Sequence, residues 1–275
     1  MSTTVGELIE DVAGRFDAAG LVFGHGFDSA WDEAVALVLH VTGLPDDQGV
    51  LDAVIDAPAR RRIDELADER CDTRRPLAHL LGRCRFAGHE FLLEPGIVVP
   101  RSPIGALIQA GFRPWLQAPP ARILDLCCGC GCIGIAAALA FPDAELDLVD
   151  LDPRAVELTQ RNLSLHGIEG RSRVHQGDLF EALPAGVRWD LILSNPPYVD
   201  ALDMSSLPAE YRHEPAAGLA GGEDGLDIVA RILDALPARL APGGLLVCEV
   251  GASGPALLRR FPDLPLLWPD LPEGG

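Results

Sequence analysis

The residues with the clearest chemical potential are Asn195, Pro196, Pro197 and Tyr198, which follow an apolar run at 191–193. Proline cannot donate to a sheet ladder, so a strand must end here. The side-chain carbonyl of Asn195 and the backbone carbonyl of Pro196 can each accept an N–H, and the prolines fix the carbonyl directions. Tyr198 can lie against a flat group. The loop is therefore predicted to hold a planar amino group.

A glycine-rich loop lies upstream, where residues 129–134 match the pattern GxGxxG. By itself the pattern is a weak signal for a dinucleotide site. Glycines let a ligand approach the backbone, and the following helix offers free N–H groups. Asp125, four residues before Gly129, could organise the loop or contact a cation through water, but it would repel a pyrophosphate. This carboxylate favours S-adenosylmethionine, which carries a sulfonium and no phosphate, over a nicotinamide cofactor.

Two further acidic residues end predicted strands. Asp150, 19 residues beyond Gly131, is placed to accept hydrogen bonds from ribose hydroxyls. Asp178 ends the next strand and is placed to receive the amino group of an adenine. Each of them alone is also explained as a helix cap. Together with Asp125, at successive strand ends, they favour a nucleoside-binding edge.

A methyl donor beside the Asn195 loop predicts methylation of an amide nitrogen. Such a nitrogen is a poor nucleophile because its lone pair is delocalised into the carbonyl. Two acceptors placed off the amide plane would favour pyramidalisation and direct the lone pair at the methyl group, which stabilises the transition state selectively. No general base is required, because the methylated cationic amide loses its proton to water. The alternative is a rigid turn with a packed tyrosine.

The cysteines indicate neither a disulfide framework nor a metal site. Seven are present, and four fall within the run CCGCGC at 127–132. An odd number and this crowding favour free thiols in a reducing cytoplasm. Adjacent and alternate spacing is poor for tetrahedral zinc, so no metal is predicted. The acidic, amphipathic N-terminus is not a signal peptide, and no apolar run approaches the roughly 20 residues of a membrane span.

The charge balance limits the classes of partner that fit this protein. Acidic residues outnumber basic ones 41 to 22, which gives a formal net charge of -19. A partner held through phosphates needs Lys and Arg, so nucleic acid is disfavoured. A basic protein partner fits this field, although acidity for solubility alone is an equal alternative.

The N-terminal third is predicted to be helical, and a hairpin is predicted to follow it. Apolar residues recur at helical spacing over 4–21, 29–42 and 58–68, with Asp28 or Ser29 as an N-cap. Residues 82–103 alternate in polarity and contain the turn sequence Glu94-Pro95-Gly96, which favours a β-hairpin.

The region from Pro119 alternates between predicted strands and helices. The strands are predicted at 122–128, 145–150, 172–175, 190–194 and 245–250, and the helices at 133–140, 153–166 and 226–240. This alternation predicts an α/β fold with a parallel sheet and helices on both faces.

The motifs resemble one known family over nearly the whole chain. VPRSPIG (99–105), LCCGCGCIGIA (126–136), NPPYVDALDMSSLPAEYRHEP (195–215), GGEDGLDI (221–228) and CEVG (248–251) are similar to HemK-like N(5)-glutamine methyltransferases. The branch they resemble acts on large-subunit ribosomal protein 3. GHGFDSAWDEAV (24–35) and GHEF (88–91) resemble the same branch.

The resemblance implies a helical substrate-recognition domain at 1–81, a hairpin connector at 82–118 and a Rossmann-like S-adenosylmethionine-dependent domain at 119–275. It implies a cofactor site lined by Cys127, Cys128, Gly129, Cys130, Gly131, Asp150 and Asp178, to which Asp125 and Asn195 are added. It implies a glutamine pocket at Asn195, Pro196, Pro197 and Tyr198. Arg101 and Glu214-Pro215 match positions near the active site, with salt bridging or hairpin anchoring as the alternative for Arg101.

Two departures from the family lead to further expectations. Cys127 and Cys128 stand where the wider family usually has glycine and threonine. Family members continue past the equivalent of Glu273–Gly275 into a final strand, which is expected to be missing here and to leave an edge unpaired. Four functions stay open: methylation of the ribosomal protein, methylation of peptide chain release factors, an adenine methylase of nucleic acid, and a non-catalytic ribosome-assembly factor.

Overall fold

The computed structural model describes residues 3–270 and begins with a helical unit. Its helices are α1 (Val5–Ala18), α2 (Ala30–Thr42), α3 (Ala57–Thr73) and α4 (Leu77–Leu81). Thr4 and Glu7 form a capping box on α1, and Ser29 rather than Asp28 caps α2. Apolar faces of these helices pack into one core around Leu8, Phe16 and Leu37.

A β-hairpin follows, as predicted, but with a different turn. Strands β1 (Arg83–Phe86) and β2 (His89–Leu92) pair antiparallel, with Phe86 opposite His89. The connection is therefore Ala87-Gly88. The predicted Glu94-Pro95-Gly96 segment forms a separate turn after β2, where the N–H of Ile97 donates to the carbonyl of Glu94.

The α/β, Rossmann-like fold class is confirmed. A five-stranded parallel sheet has the order β5-β4-β3-β6-β7. Its strands are β3 (Arg122–Leu126), β4 (Glu145–Asp150), β5 (Ser172–Gln176), β6 (Trp189–Ser194) and β7 (Leu240–Cys248). The remaining helices are α5 (Ile104–Gln109), α6 (Cys132–Ala140), α7 (Pro153–His166), α8 (Ala201–Met204), α9 (Asp227–Arg239) and α10 (Gly254–Arg260).

Helices cover both faces of this sheet because its strand residues alternate between two cores. Ile123 and Leu191 face α6, α7 and the hairpin, whereas Leu124 and Ile192 face α9. Within residues 3–270, β7 has β6 as its only neighbour. Residues 273–275, after which a final strand is expected to be missing, lie outside the described residues. That expectation and the domain boundaries stay predictions.

Candidate active site

The sheet order places the glycine loop and the Asn195 loop side by side. β3 and β6 are neighbours, and Leu126 pairs with Ser194. Cys127 and Asn195 therefore leave the sheet together from strands about 4.8 Å apart. The chain passes from β3 to β4 on one side and later to β6 on the other, which makes this edge a topological switch point. Ligands of open α/β sheets bind in the crevice at such a point.

A cavity of about 640 Å³ opens at this edge. Its wall includes the following predicted site residues: Arg101, Cys127, Cys128, Gly129, Cys130, Asp150, Asp178, Asn195, Pro196, Pro197 and Tyr198. Three predicted residues, Asp125, Gly131 and Glu214, are not part of the wall. One cavity thus joins the glycine loop to the Asn195 loop.

The acceptor groups of the Asn195 loop are free for a ligand. Within residues 3–270, no protein group bonds the side-chain amide of Asn195 or the backbone carbonyl of Pro196. The loop is held instead at Val199, whose N–H donates to Leu219 and whose carbonyl accepts from Gly221, both at 2.8 Å. The loop thus presents two free acceptors on a fixed backbone, and their role in binding a planar amino group stays a prediction.

Asp125 lies beneath the glycine loop and does not reach the cavity. Its side chain is completely buried, and Oδ2 accepts the N–H of Gly134 at 2.8 Å. Burial raises the pKa of Asp125 to about 8, against the lowering effect of that hydrogen bond. Asp125 is therefore placed to organise the loop, and its contact with a cofactor stays a prediction.

Gly131 also supports the loop from behind. Its φ is +81°, and a methyl group there would lie 2.8 Å from Cγ2 of Thr159 on α7. Glycine is required for both reasons. Cys127, in contrast, adopts a φ of +58° with a full side chain, a conformation that favours the glycine usual at this position.

The two acidic strand ends both line the cavity, and each already has a protein partner. Asp150 accepts the N–H of Gly129 at 2.8 Å and that of Asp152 at 2.9 Å. Burial raises the pKa of Asp150. Asp178 forms an ion pair with Arg231 at 2.9 Å. Each carboxylate oxygen has a second lone pair, so Asp150 keeps acceptor capacity toward the cavity.

Arg101, in the cavity wall, pairs with Glu214, which lies outside the wall. The guanidinium of Arg101 donates to both carboxylate oxygens of Glu214, at 2.7 and 2.6 Å. Glu214 also accepts the N–H of Val99 at 2.8 Å. The pair anchors the segment after the hairpin, as the salt-bridge alternative for Arg101 expected, while Arg101 itself still lines the cavity.

Comparisons with known proteins assign this architecture. Residues 113–211 match the family model described as the methyltransferase small domain. A ribosomal protein uL3 glutamine methyltransferase of Bordetella pertussis is 46% identical over 99% of this chain and 92% of its own length. The chain belongs to the ribosomal protein uL3 glutamine methyltransferases. The protein of that name from Burkholderia pseudomallei is 41% identical over 96% of this chain and 90% of its own length.

Solved structures support the fold of the family. The hMettl16 catalytic domain, in complex with the MAT2A 3'UTR hairpin 1, covers 83% of both chains with a TM-score of 0.51 at 16% identity. At this identity the likeness concerns the fold alone. Within residues 3–270, no group of three or more His, Cys, Asp or Glu is arranged to hold a metal ion, and no helix is long and apolar enough to cross a membrane.

Three glycines that the sequence analysis left without a role enclose Tyr198. A methyl group on Gly221 would lie 2.7 Å from Cα of Tyr198, and one on Gly225 would lie 2.4 Å from its carbonyl oxygen. A methyl group on Gly251 would lie 2.5 Å from the ring. The motifs GGEDGLDI and CEVG therefore supply the space in which the loop and its ring are seated.

Asn162 on α7 is a second feature that the sequence analysis missed. Its Oδ1 accepts the N–H of Leu92 at 2.8 Å, and its Nδ2 donates to Leu92 at 3.0 Å and to Cys130 at 2.8 Å. This one buried side chain ties the hairpin to the glycine loop. No motif or spacing marked it, because its partners are backbone groups distant in the sequence.

Proposed function

We propose that this protein transfers a methyl group from S-adenosylmethionine to the side-chain amide nitrogen of a glutamine in uL3, the large-subunit ribosomal protein 3. Two relatives over nearly the full chain are uL3 glutamine methyltransferases, which supports the substrate. The observation that carries the chemistry is the pair of free acceptors at Asn195 and Pro196, which share one cavity with the glycine loop.

The cavity suits S-adenosylmethionine better than a phosphate-bearing cofactor. Near the glycine loop its wall carries Asp150, Asp152 and Asp178. Among the described residues of the wall the only basic one is Arg101, and Glu214 already pairs with it. An acidic edge attracts a sulfonium and repels a pyrophosphate. When bound, this cofactor supplies an electrophilic methyl group.

The chain's own residues orient the acceptor. The carbonyls of Asn195 and Pro196 accept the two N–H bonds of the glutamine amide, and Tyr198 packs on its flat face. Acceptors off the amide plane favour a pyramidal nitrogen, so the lone pair is available for attack. The proton is lost from the cationic product to water. These groups therefore act by positioning the amide, and the reaction needs no dedicated base.

The proposed partner and location follow from the same properties. A net charge of -19 suits a basic ribosomal protein and disfavours direct, sequence-specific nucleic-acid binding. All seven cysteines are free thiols, which agrees with a cytoplasmic location.

Labelled S-adenosylmethionine offered in parallel to purified uL3, a release factor, DNA and RNA tests the proposal. We expect label on uL3, in a glutamine side chain. Label on nucleic acid alone would reject amide methylation, and label on the release factor alone would reassign the substrate. Cofactor binding without any label would favour a non-catalytic assembly factor.

A further inference from the structure

A short segment, Glu210–Pro215, connects the helical unit to the cavity, and we call it the strap. Its first residue, Glu210, is completely buried. Glu210 accepts the N–H of Val22 at 3.0 Å and a hydrogen bond from Arg74 at 3.2 Å, and Arg70 lies 4.0 Å away. All three partners belong to the helical unit, so this end of the strap is fixed by residues far from the glycine loop.

The other end of the strap is fixed as well. A ring nitrogen of His213 bonds the carbonyl of Thr73 at the end of α3, at 2.8 Å. Glu214 bonds Arg101 and the N–H of Val99 in the segment after the hairpin. The strap is thus held at both ends, and the two residues between them, Tyr211 and Arg212, have little freedom to move.

Of these two residues, Tyr211 lines the cavity. The ring of His25, from the helical unit, lies with its centroid 4.5 Å from the Tyr211 centroid, and the Arg101 guanidinium lies 5.0 Å from it. His25 is itself buried, and within the described residues neither ring nitrogen has a hydrogen-bond partner, while its Nε2 lies 3.8 Å from Glu214. The helical unit therefore uses His25 for packing and sets the position of the Tyr211 ring.

Tyr211 lines the same cavity as Tyr198 of the Asn195 loop. Arg101, whose guanidinium lies 5.0 Å from the Tyr211 ring centroid, belongs to the same wall. The cofactor edge at Asp150 and Asp178 lies at the ends of β4 and β5, outside the strap. A change at Tyr211 should therefore alter the space for the protein substrate and leave the cofactor edge intact.

We propose that Tyr211 is a specificity-determining residue that contacts the protein substrate next to the target glutamine, and that Glu210 is a positioning residue acting through it. This inference rests on the proposed function and deepens it. An aromatic wall fixed by the helical unit makes the choice of substrate depend on that unit, although the reacting groups belong to the sheet domain.

The test measures KM for uL3, kcat at saturating uL3 and Kd for S-adenosylmethionine. Tyr211→Ala should raise KM for uL3 about tenfold or more, the effect of truncating a well-packed aromatic contact, with cofactor Kd within about twofold. Tyr211→Phe keeps the ring and should restore most of the affinity. Glu210→Gln should raise KM for uL3 with kcat and cofactor Kd within about twofold, because its effect passes through the ring.

Glu10→Gln is the matched control, because Glu10 is an exposed carboxylate of the same helical unit. An unchanged KM in Tyr211→Ala would overturn the inference, and so would an equal loss of cofactor affinity, which would indicate general damage to the site. Absence of label with the unmodified chain would instead contradict the proposed function.

Discussion

Asp125 combines complete burial with a carboxyl oxygen that lacks a partner. Oδ2 holds the N–H of Gly134, whereas Oδ1 has no protein partner within the described residues. Burial disfavours the charged form and raises its pKa to about 8. The protein therefore carries a neutral carboxyl under its glycine loop near neutral pH.

Asp125→Asn should flatten the pH dependence of the free energy of unfolding. The raised pKa means that the unfolded state binds fewer protons, so stability falls as pH rises. The contribution is complete below the unfolded value of 3.8 and is lost as pH rises through about 8. Urea unfolding at intervals from about pH 5 to about pH 8 measures it. If the free energy of unfolding of the variant varied with pH as steeply as that of the unmodified protein, Asp125 would not be protonated as assigned.

The residue types of the site could be predicted from sequence, but the packing that holds the Asn195 loop and the Tyr198 ring in place could not. Asn195, Pro196 and Asp150 were predicted because residue type and position at a strand end carry chemical meaning. Gly251 was not, because its role depends on a φ of +48° and on the approach of the Tyr198 ring. Long-range contacts of this kind leave no periodic signal in the chain.

Among the elements, α7 connects the hairpin to the glycine loop through the hydrogen bonds of Asn162. Asn162 is completely buried, and its hydrogen bonds reach Leu92 on β2 and Cys130 in the loop. Without it, the carbonyl of Cys130 would be left buried and unpaired, and the part-buried N–H and carbonyl of Leu92 would lose this partner. The hairpin is thus part of the support of the cofactor edge.

Asn162→Ala should destabilise the protein and weaken cofactor binding. Leaving buried backbone groups unsatisfied costs about 1–3 kcal/mol each. Urea unfolding measures the loss, and calorimetry measures the Kd for S-adenosylmethionine. Gln160→Ala, on the exposed side of the same helix, is the control. If Asn162→Ala were as stable as this control, the hydrogen bonds of Asn162 would not contribute to stability.

Two differences between the predicted and observed elements have physical causes. The hairpin turn was misplaced because Ala87 and Gly88 both adopt positive φ, at 49° and 86°, a conformation that alanine does not signal. Helix α3 continues to Thr73, beyond the predicted end at 68, because Arg70 is buried against Glu33 at 2.8 Å. Periodicity treats an arginine as exposed and cannot foresee that ion pair.

At the scale of the molecule, the acidic field should govern how the substrate is found. The chain carries a net charge of -19, to which the helical unit contributes strongly. Opposite charge speeds encounter with a basic partner, and salt screens it. The parallel fold itself was predictable, because strand-helix alternation over 119–248 allows few other arrangements.

KM for uL3 should therefore rise as salt is added, with kcat changing little. Raising ionic strength from about 0.05 M to about 0.5 M shortens the Debye length severalfold and removes most of the long-range attraction. Methylation assays across this range measure the effect. A KM that stays constant or falls with salt would contradict a recognition mode based on charge.

Asn195 is expected to hold the acceptor amide and to matter far more for turnover than for cofactor binding. The direct measurement is kcat on uL3 together with the calorimetric Kd for S-adenosylmethionine in Asn195→Ala. We expect kcat to fall by about 10²–10³, the cost of losing one well-placed hydrogen-bonding group, with Kd within about threefold. Equal losses in turnover and cofactor affinity, or undiminished turnover, would contradict the account.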